Sequence, residues 1–148
     1  MKFTIVPMQP RHIPQLAALE TICFSDPWPE AAFLPELQNE LSVWLVAEHD
    51  GKVAGYIGSQ IVPDEADMMN LAVAPEFRRQ GLGRKLALAL FDALRARSVV
   101  SLTLEVRDSN EPAIRLYESL GFRQVGLRKR YYFHPTEDAR ILKKEWNE

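Results

Sequence analysis

Cys23 is the only cysteine in the chain, so no internal disulfide can form and nothing calls for an oxidising compartment. Long hydrophobic runs are also missing. Pro7 cuts short the apolar stretch at residues 3–6, and no segment reaches the roughly 20 apolar residues of a membrane-spanning helix. A cytoplasmic setting is expected, with neither leader nor membrane contact. The formal net charge is only -2, which excludes bulk attraction to a polyanion, so direct nucleic-acid binding is not expected. The three histidines, His12, His49 and His134, stand far apart without ligand-like spacing, and no metal site is expected. Repeats and low-complexity segments are absent as well. At 148 residues the chain suits one core, and a single domain over residues 1–148 follows.

The most informative stretch spans residues 68–98. An apolar strand (Met68, Met69, Leu71, Val73) leads through Pro75 to a basic, glycine-containing turn made of Arg78, Arg79, Gln80, Gly81, Leu82, Gly83 and Arg84. Leu86, Leu90, Phe91 and Leu94 then recur at helical spacing and predict a long helix from about Gly83. A helix start offers unpaired N–H groups and partial positive charge, which suit phosphate oxygens. Gly81 and Gly83 would allow close approach and positive φ. The pattern reads as a pyrophosphate cradle. It is not a nucleotide-hydrolase loop, because Gly83 is followed by Arg84 and Lys85. Nor is it a dinucleotide fingerprint, since Leu86 stands where a third glycine belongs.

Around this centre, Phe3, Ile5 and Pro7 suggest a first strand, and Ile13, Leu16, Leu19 and Ile22 suggest a helix over residues 11–24. Asp26-Pro27-Trp28-Pro29 breaks it, and a second helix starts at Pro29 or Glu30. Phe24, Trp28 and Phe33 there serve either as core anchors or as a substrate wall. Residues 42–48 read as a strand joined by the hairpin turn Asp50-Gly51 to a second strand, which Pro63-Asp64-Glu65 closes before Met68 begins a third. On residue type alone, Asp64, Glu65 and Asp67 are a solvated turn. A strand at residues 99–106 places Val100, Leu102, Leu104 and Val106 on one face and Glu105 on the other. Asn110 or Ser109 caps a helix with the stripe Ala113, Leu116, Tyr117 and Leu120, ended by Gly121. Strands at residues 123–133 and 139–146 complete the chain around a turn at residues 134–138.

Over essentially its whole length this pattern resembles the GNAT superfamily of N-acetyltransferases, whose acetyl-coenzyme A signature matches Arg78, Gly81 and Gly83 in spacing. Leu104-Glu105-Val106-Arg107, Ser109-Asn110, Leu116-Tyr117-Glu118, Gly121-Phe122 and Tyr131-Tyr132 are similar to the bacterial branch that modifies the N-terminal alanine of a ribosomal protein. So are Phe24-Ser25-Asp26-Pro27-Trp28 and Asp64-Glu65-Ala66. The resemblance implies an α/β fold: one mixed, twisted sheet of about seven strands, splayed between the fourth and fifth, with about four helices. It implies that Leu71, Ala72 and Val73 hold the pantetheine arm of acetyl-coenzyme A. Arg79, Gln80, Gly81, Leu82, Gly83 and Arg84 would hold the pyrophosphate, and Asn110 would contact the coenzyme further on. Glu105 would be the general base and Tyr117 the general acid. No metal is implied. Arg140-Ile141-Leu142 departs from the branch's pattern and touches only the acceptor end.

For the acceptor, ionisation gives a physical argument. An α-amine titrates near ~7.8 and a lysine near ~10.4, so deprotonating lysine at neutral pH costs about 3.5 kcal/mol more. A single glutamate base therefore suits a protein amino terminus, and the resemblance points to a ribosomal protein. Trp28 and Phe33 facing Tyr131 and Tyr132 would wall a slot for an extended peptide, with Glu65 and its acidic neighbours favouring a basic one. An internal lysine, a small-molecule amine and a noncatalytic coenzyme-binding module remain alternatives on these grounds.

Overall fold

A computed structural model of the chain describes residues 2–146. Four helices, α1 (Ile13–Cys23), α2 (Glu30–Gln38), α3 (Leu82–Ala96) and α4 (Glu111–Ser119), accompany seven strands. These are β1 (Thr4–Pro7), β2 (Ser42–His49), β3 (Lys52–Val62), β4 (Glu65–Val73), β5 (Ser101–Arg107), β6 (Arg123–Tyr132) and β7 (Glu137–Glu145). They form one sheet in the order β1-β2-β3-β4-β5-β7-β6.

Local chemistry explains the connections. Asp50 and Gly51 have φ of 51° and 77°, the left-handed pair that the tight β2–β3 hairpin requires. Asn110 caps α4, its Oδ1 accepting from the Ala113 N–H at 3.3 Å. Gly121, at φ 97°, ends that helix in the left-handed form expected of it. β4 and β5 are joined through α3, and theirs is the one parallel pairing among the described strands. That pairing covers only Glu65, Ala66 and Asp67 against Ser101, Leu102 and Thr103. Beyond it the strands part. One extra β4 residue, Met69, lies between the pairings of Met68 with Ser59 and Asn70 with Gly58, a bulge where the strand turns away.

Strand parity assigns the helices to faces. Tyr56 of β3 bonds Glu20 of α1, whereas a Cβ on neighbouring Gly55 would meet Leu86 of α3 at 3.3 Å. Thus α1 covers one face and α3 the other. On the α1 face, Phe33, Trp44 and Tyr56 pack ring against ring, and Trp44 lies so close over Gly58 that a Cβ there would stand 2.3 Å from its ring. Leu82, Leu86, Leu90 and Leu94 bury the inner stripe of α3. Burial of this kind contributes roughly 1.5–3 kcal/mol per large apolar side chain.

Several expected positions shift. α3 starts at Leu82, one residue early, with Gly81 as its cap. β4 begins at Glu65 because Pro63 and Asp64 alone suffice for the turn, so Glu65 and Asp67 are strand residues. Ile22 is 63% exposed; Glu20 takes the inward position on α1 instead. Val100 precedes β5 and is exposed, while Ile114 joins the buried side of α4.

Candidate active site

The parting of β4 and β5 opens a cleft of about 690 Å³ whose walls include Met68–Leu71 of β4, Thr103–Arg107 of β5, Tyr117 of α4 and the α1–α2 loop. Parity decides what each side offers. Ala66 and Met68 share a face, and Met68 lies under α4, where the Tyr117 hydroxyl is 3.8 Å from its sulfur. Because Ala66 is in register with Leu102, the side chains of Leu102, Leu104 and Val106 face α3 and α4. Thr103, Glu105 and Arg107 therefore face α1, and Arg107 duly reaches Ser25 in the α1–α2 loop. Glu105 and Tyr117 approach the gap from opposite faces of the sheet.

The Glu105 side chain is 27% exposed, with one carboxylate oxygen 3.4 Å from Arg128 Nε on β6. Its ion-pair partner is thus Arg128, from a distant strand, and not Arg107 two residues along its own. Arg107 instead binds Glu137 and the carbonyls of Phe133 and Pro135, and lies 4.5 Å over the Tyr132 ring. Tyr117 is buried, and desolvation raises its pKa well above that of a free phenol, so the hydroxyl keeps its proton at neutral pH. Tyr132 is pushed up to about 12, first by burial and then by the neighbouring Tyr131 and Glu105.

The glycine loop has the geometry of an anion cradle. Gly81 sits at φ 75° and Arg79, against its type, at φ 65°. Among the described residues, the backbone N–H groups of Arg79, Gln80, Gly81, Leu82, Gly83 and Arg84 have no protein acceptor. Gly83, in contrast, is an ordinary helical residue without positive φ, and a Cβ there would make only ordinary contact with Leu116 at 3.5 Å. Arg84 is turned aside to bond Ser119 Oγ at 3.1 Å, and Arg78 folds back to the Val73 carbonyl at 3.1 Å. Leu71, Ala72 and Val73 pair with β3 on one edge and have no β5 partner on the other. Asn110 lines the cleft beside them.

At the acceptor end, Trp28, Tyr131 and Tyr132 line the cleft as expected, but two expected residues do not. Phe33 is fully buried behind Trp28, its ring 5.3 Å away, so it supports the wall without forming it. Glu65 lies at the paired base of β4, where Ser101 Oγ donates to it at 2.9 Å and Lys143 pairs with it at 3.4 Å. Asp67 is the member of that acidic trio on the cleft wall.

Glu20 went unread in the sequence. It lines the cleft, is fully buried, and accepts hydrogen bonds from Trp28 N–H, Asn70 and Tyr56. One signal was available: four residues after Leu16, it puts a carboxylate where the stripe of α1 calls for an apolar group.

Residues 13–122 match the model of the acetyltransferase (GNAT) family. The chain is 42% identical over 137 residues to the ribosomal protein bS18-alanine N-acetyltransferase of Escherichia coli K12, covering 93% of this chain and 90% of that one. It is 37% identical over 135 residues to the N-alpha-acetyltransferase RimI of Mycobacterium tuberculosis, covering 87% and 84%. The crystal structure of the ribosomal-protein-S18-alanine N-acetyltransferase from Escherichia coli superposes with a TM-score of 0.90 at 39% identity, over 97% of this chain and 94% of that one.

Proposed function

Since this chain belongs to the acetyltransferase (GNAT) family, we propose that, as a single domain over residues 1–148, it transfers acetyl from acetyl-coenzyme A to the N-terminal α-amine of a protein. The acceptor is the N-terminal alanine of a small-subunit ribosomal protein. Near-full-length likeness to an enzyme named for that reaction carries the assignment.

The site supports the chemistry residue by residue. The free N–H groups from Arg79 to Arg84 suit the coenzyme's pyrophosphate, and the open edge of Leu71, Ala72 and Val73 suits an extended amide chain laid along it. Asn110 lines the same cleft, and Arg79 adds a positive charge to the loop. Glu105, on the α1 face, takes the proton as the amine nitrogen bonds to the thioester carbon. As the carbon–sulfur bond breaks, Tyr117 donates its proton to the departing thiolate from the α4 face and is reprotonated from solvent. Base and acid on opposite sides of the gap keep incoming amine and outgoing sulfur apart.

Trp28, Tyr131 and Tyr132 form the acceptor wall. Asp26, Asp67 and Glu105 outnumber Arg107 and Arg128 along the cleft, which favours a cationic chain end. Among the described residues no helix is long and apolar enough to cross a membrane, and a ribosomal acceptor places the reaction in the cytoplasm. The test compares turnover on three acceptors: a short basic peptide beginning with alanine, the same peptide blocked at its terminus but carrying lysine, and a polyamine. Turnover confined to the free terminus is expected. Preference for either alternative would overturn the acceptor assignment.

A further inference from the structure

The Glu20 carboxyl has no part in the reaction above, yet it sits at the floor of the same cleft with 0% exposure. Its two oxygens serve three elements. Oε1 accepts from the Trp28 backbone N–H at 2.8 Å, fixing the α1–α2 loop at the residue whose ring walls the acceptor slot. Oε2 accepts from Asn70 Nδ2 at 2.9 Å, immediately after the Met69 bulge where β4 leaves β5. It also accepts from the Tyr56 hydroxyl, in the ring cluster behind Trp28. Trp28 in turn packs on Trp44 with ring centroids 5.4 Å apart.

Burying a carboxyl is costly, and desolvation raises its pKa here against the three bonds that lower it. An apolar residue on the α1 stripe would seal the core without that cost. It could not tie the acceptor loop to the parting edge of β4. We infer that Glu20 is a positioning residue that sets the spacing between the Trp28 wall and the β4 edge, and so governs how well the acceptor chain end is held. The inference rests on the acetyltransferase reading above.

The experiment measures thermal stability, acetyl-coenzyme A affinity, kcat and peptide KM for the wild type, Glu20→Leu, Glu20→Gln and Asn70→Ala. Wild-type turnover on the alanine-terminated peptide tests the underlying reading separately. With that turnover in hand, Glu20→Leu is expected to raise peptide KM about tenfold or more, with acetyl-coenzyme A affinity within about twofold. Glu20→Gln, which can keep the Trp28 bond and reorient toward Asn70 and Tyr56, should recover most of the loss. Asn70→Ala removes one bond without removing the carboxyl, and should raise peptide KM less than Glu20→Leu does. Should the leucine variant not fold, the Gln and Ala variants and their double mutant carry the test, with a non-additive effect on peptide KM expected. Unchanged peptide KM in the folded variants would overturn the inference, as would additive effects or coenzyme affinity falling in parallel.

Discussion

Glu105 is held by a guanidinium yet open enough for an amine or a bridging water to reach it. Glu105→Gln preserves shape while removing basicity. Turnover is expected to fall roughly a hundredfold or more with acetyl-coenzyme A affinity intact, measured by steady-state kinetics beside equilibrium binding. Tyr117→Phe keeps the ring that packs 5.5 Å from Phe122 and loses only a hydroxyl whose hydrogen bond, among the described residues, is a weak one to the Met68 thioether. Stability should change by less than about 1 kcal/mol while turnover drops; a parallel loss of both would reduce Tyr117 to packing. A third residue supplies a pH test. His12 Nδ1 accepts from Gln9 N–H, so its Nε2–H donates to Glu48 at 2.6 Å, and chiefly this bond lowers the Glu48 pKa. A lowered folded-state pKa stabilises above the ordinary carboxylate range and loses that contribution as pH falls through the folded value. The stability advantage of wild type over Glu48→Gln, followed by thermal melts, should therefore narrow below about pH 4.5. At this scale the sequence was legible where a motif carried the residue, as with Glu105 and Asn110. It was silent on Arg128 as partner of Glu105, which depends on strand register, and it marked Glu20 only as a carboxylate on an apolar stripe, whose three partners come from distant segments.

Among the elements, the Arg79–Arg84 loop and α3 make the sharpest case. Gly83 is the second residue of α3, with space for a side chain, and an acidic group in a first helical turn is favourable to the helix. Gly83→Asp should leave thermal stability unchanged or slightly higher, yet weaken acetyl-coenzyme A binding at least tenfold, because the carboxylate would lie in the proposed pyrophosphate cradle. Gly81→Ala should do the reverse in kind, costing about 1 kcal/mol of stability through its left-handed φ of 75°. Calorimetry and binding on the two variants separate these effects; unchanged affinity in Gly83→Asp would remove the cradle. Periodicity and turn chemistry made most elements legible. Where they missed, as at the start of β4, a two-residue turn did the work assigned to three. The exposure of Ile22 shows the other limit: helical spacing fixes a stripe, but only packing decides its far edge.

At the scale of the molecule, function follows from one parallel pairing three residues long. It holds two well-packed sheet halves together at their base and lets them part above it. Glu105 then faces the gap from one side and Tyr117 from the other, the proposed base and acid. Alternating residues could not reveal that Glu105 and Tyr117 lie across a sheet from each other; bulge position and register decide it. The measurement closest to this account is to incubate the protein with acetyl-coenzyme A and an intact small-subunit ribosomal protein that has a free N-terminal alanine and many lysines. The modified position is then located by fragmentation mass spectrometry. One acetyl group is expected, on the α-amine of the first residue, and it should vanish with Glu105→Gln. Acetyl groups on lysines with a bare terminus, or an undiminished product from Glu105→Gln, would contradict it.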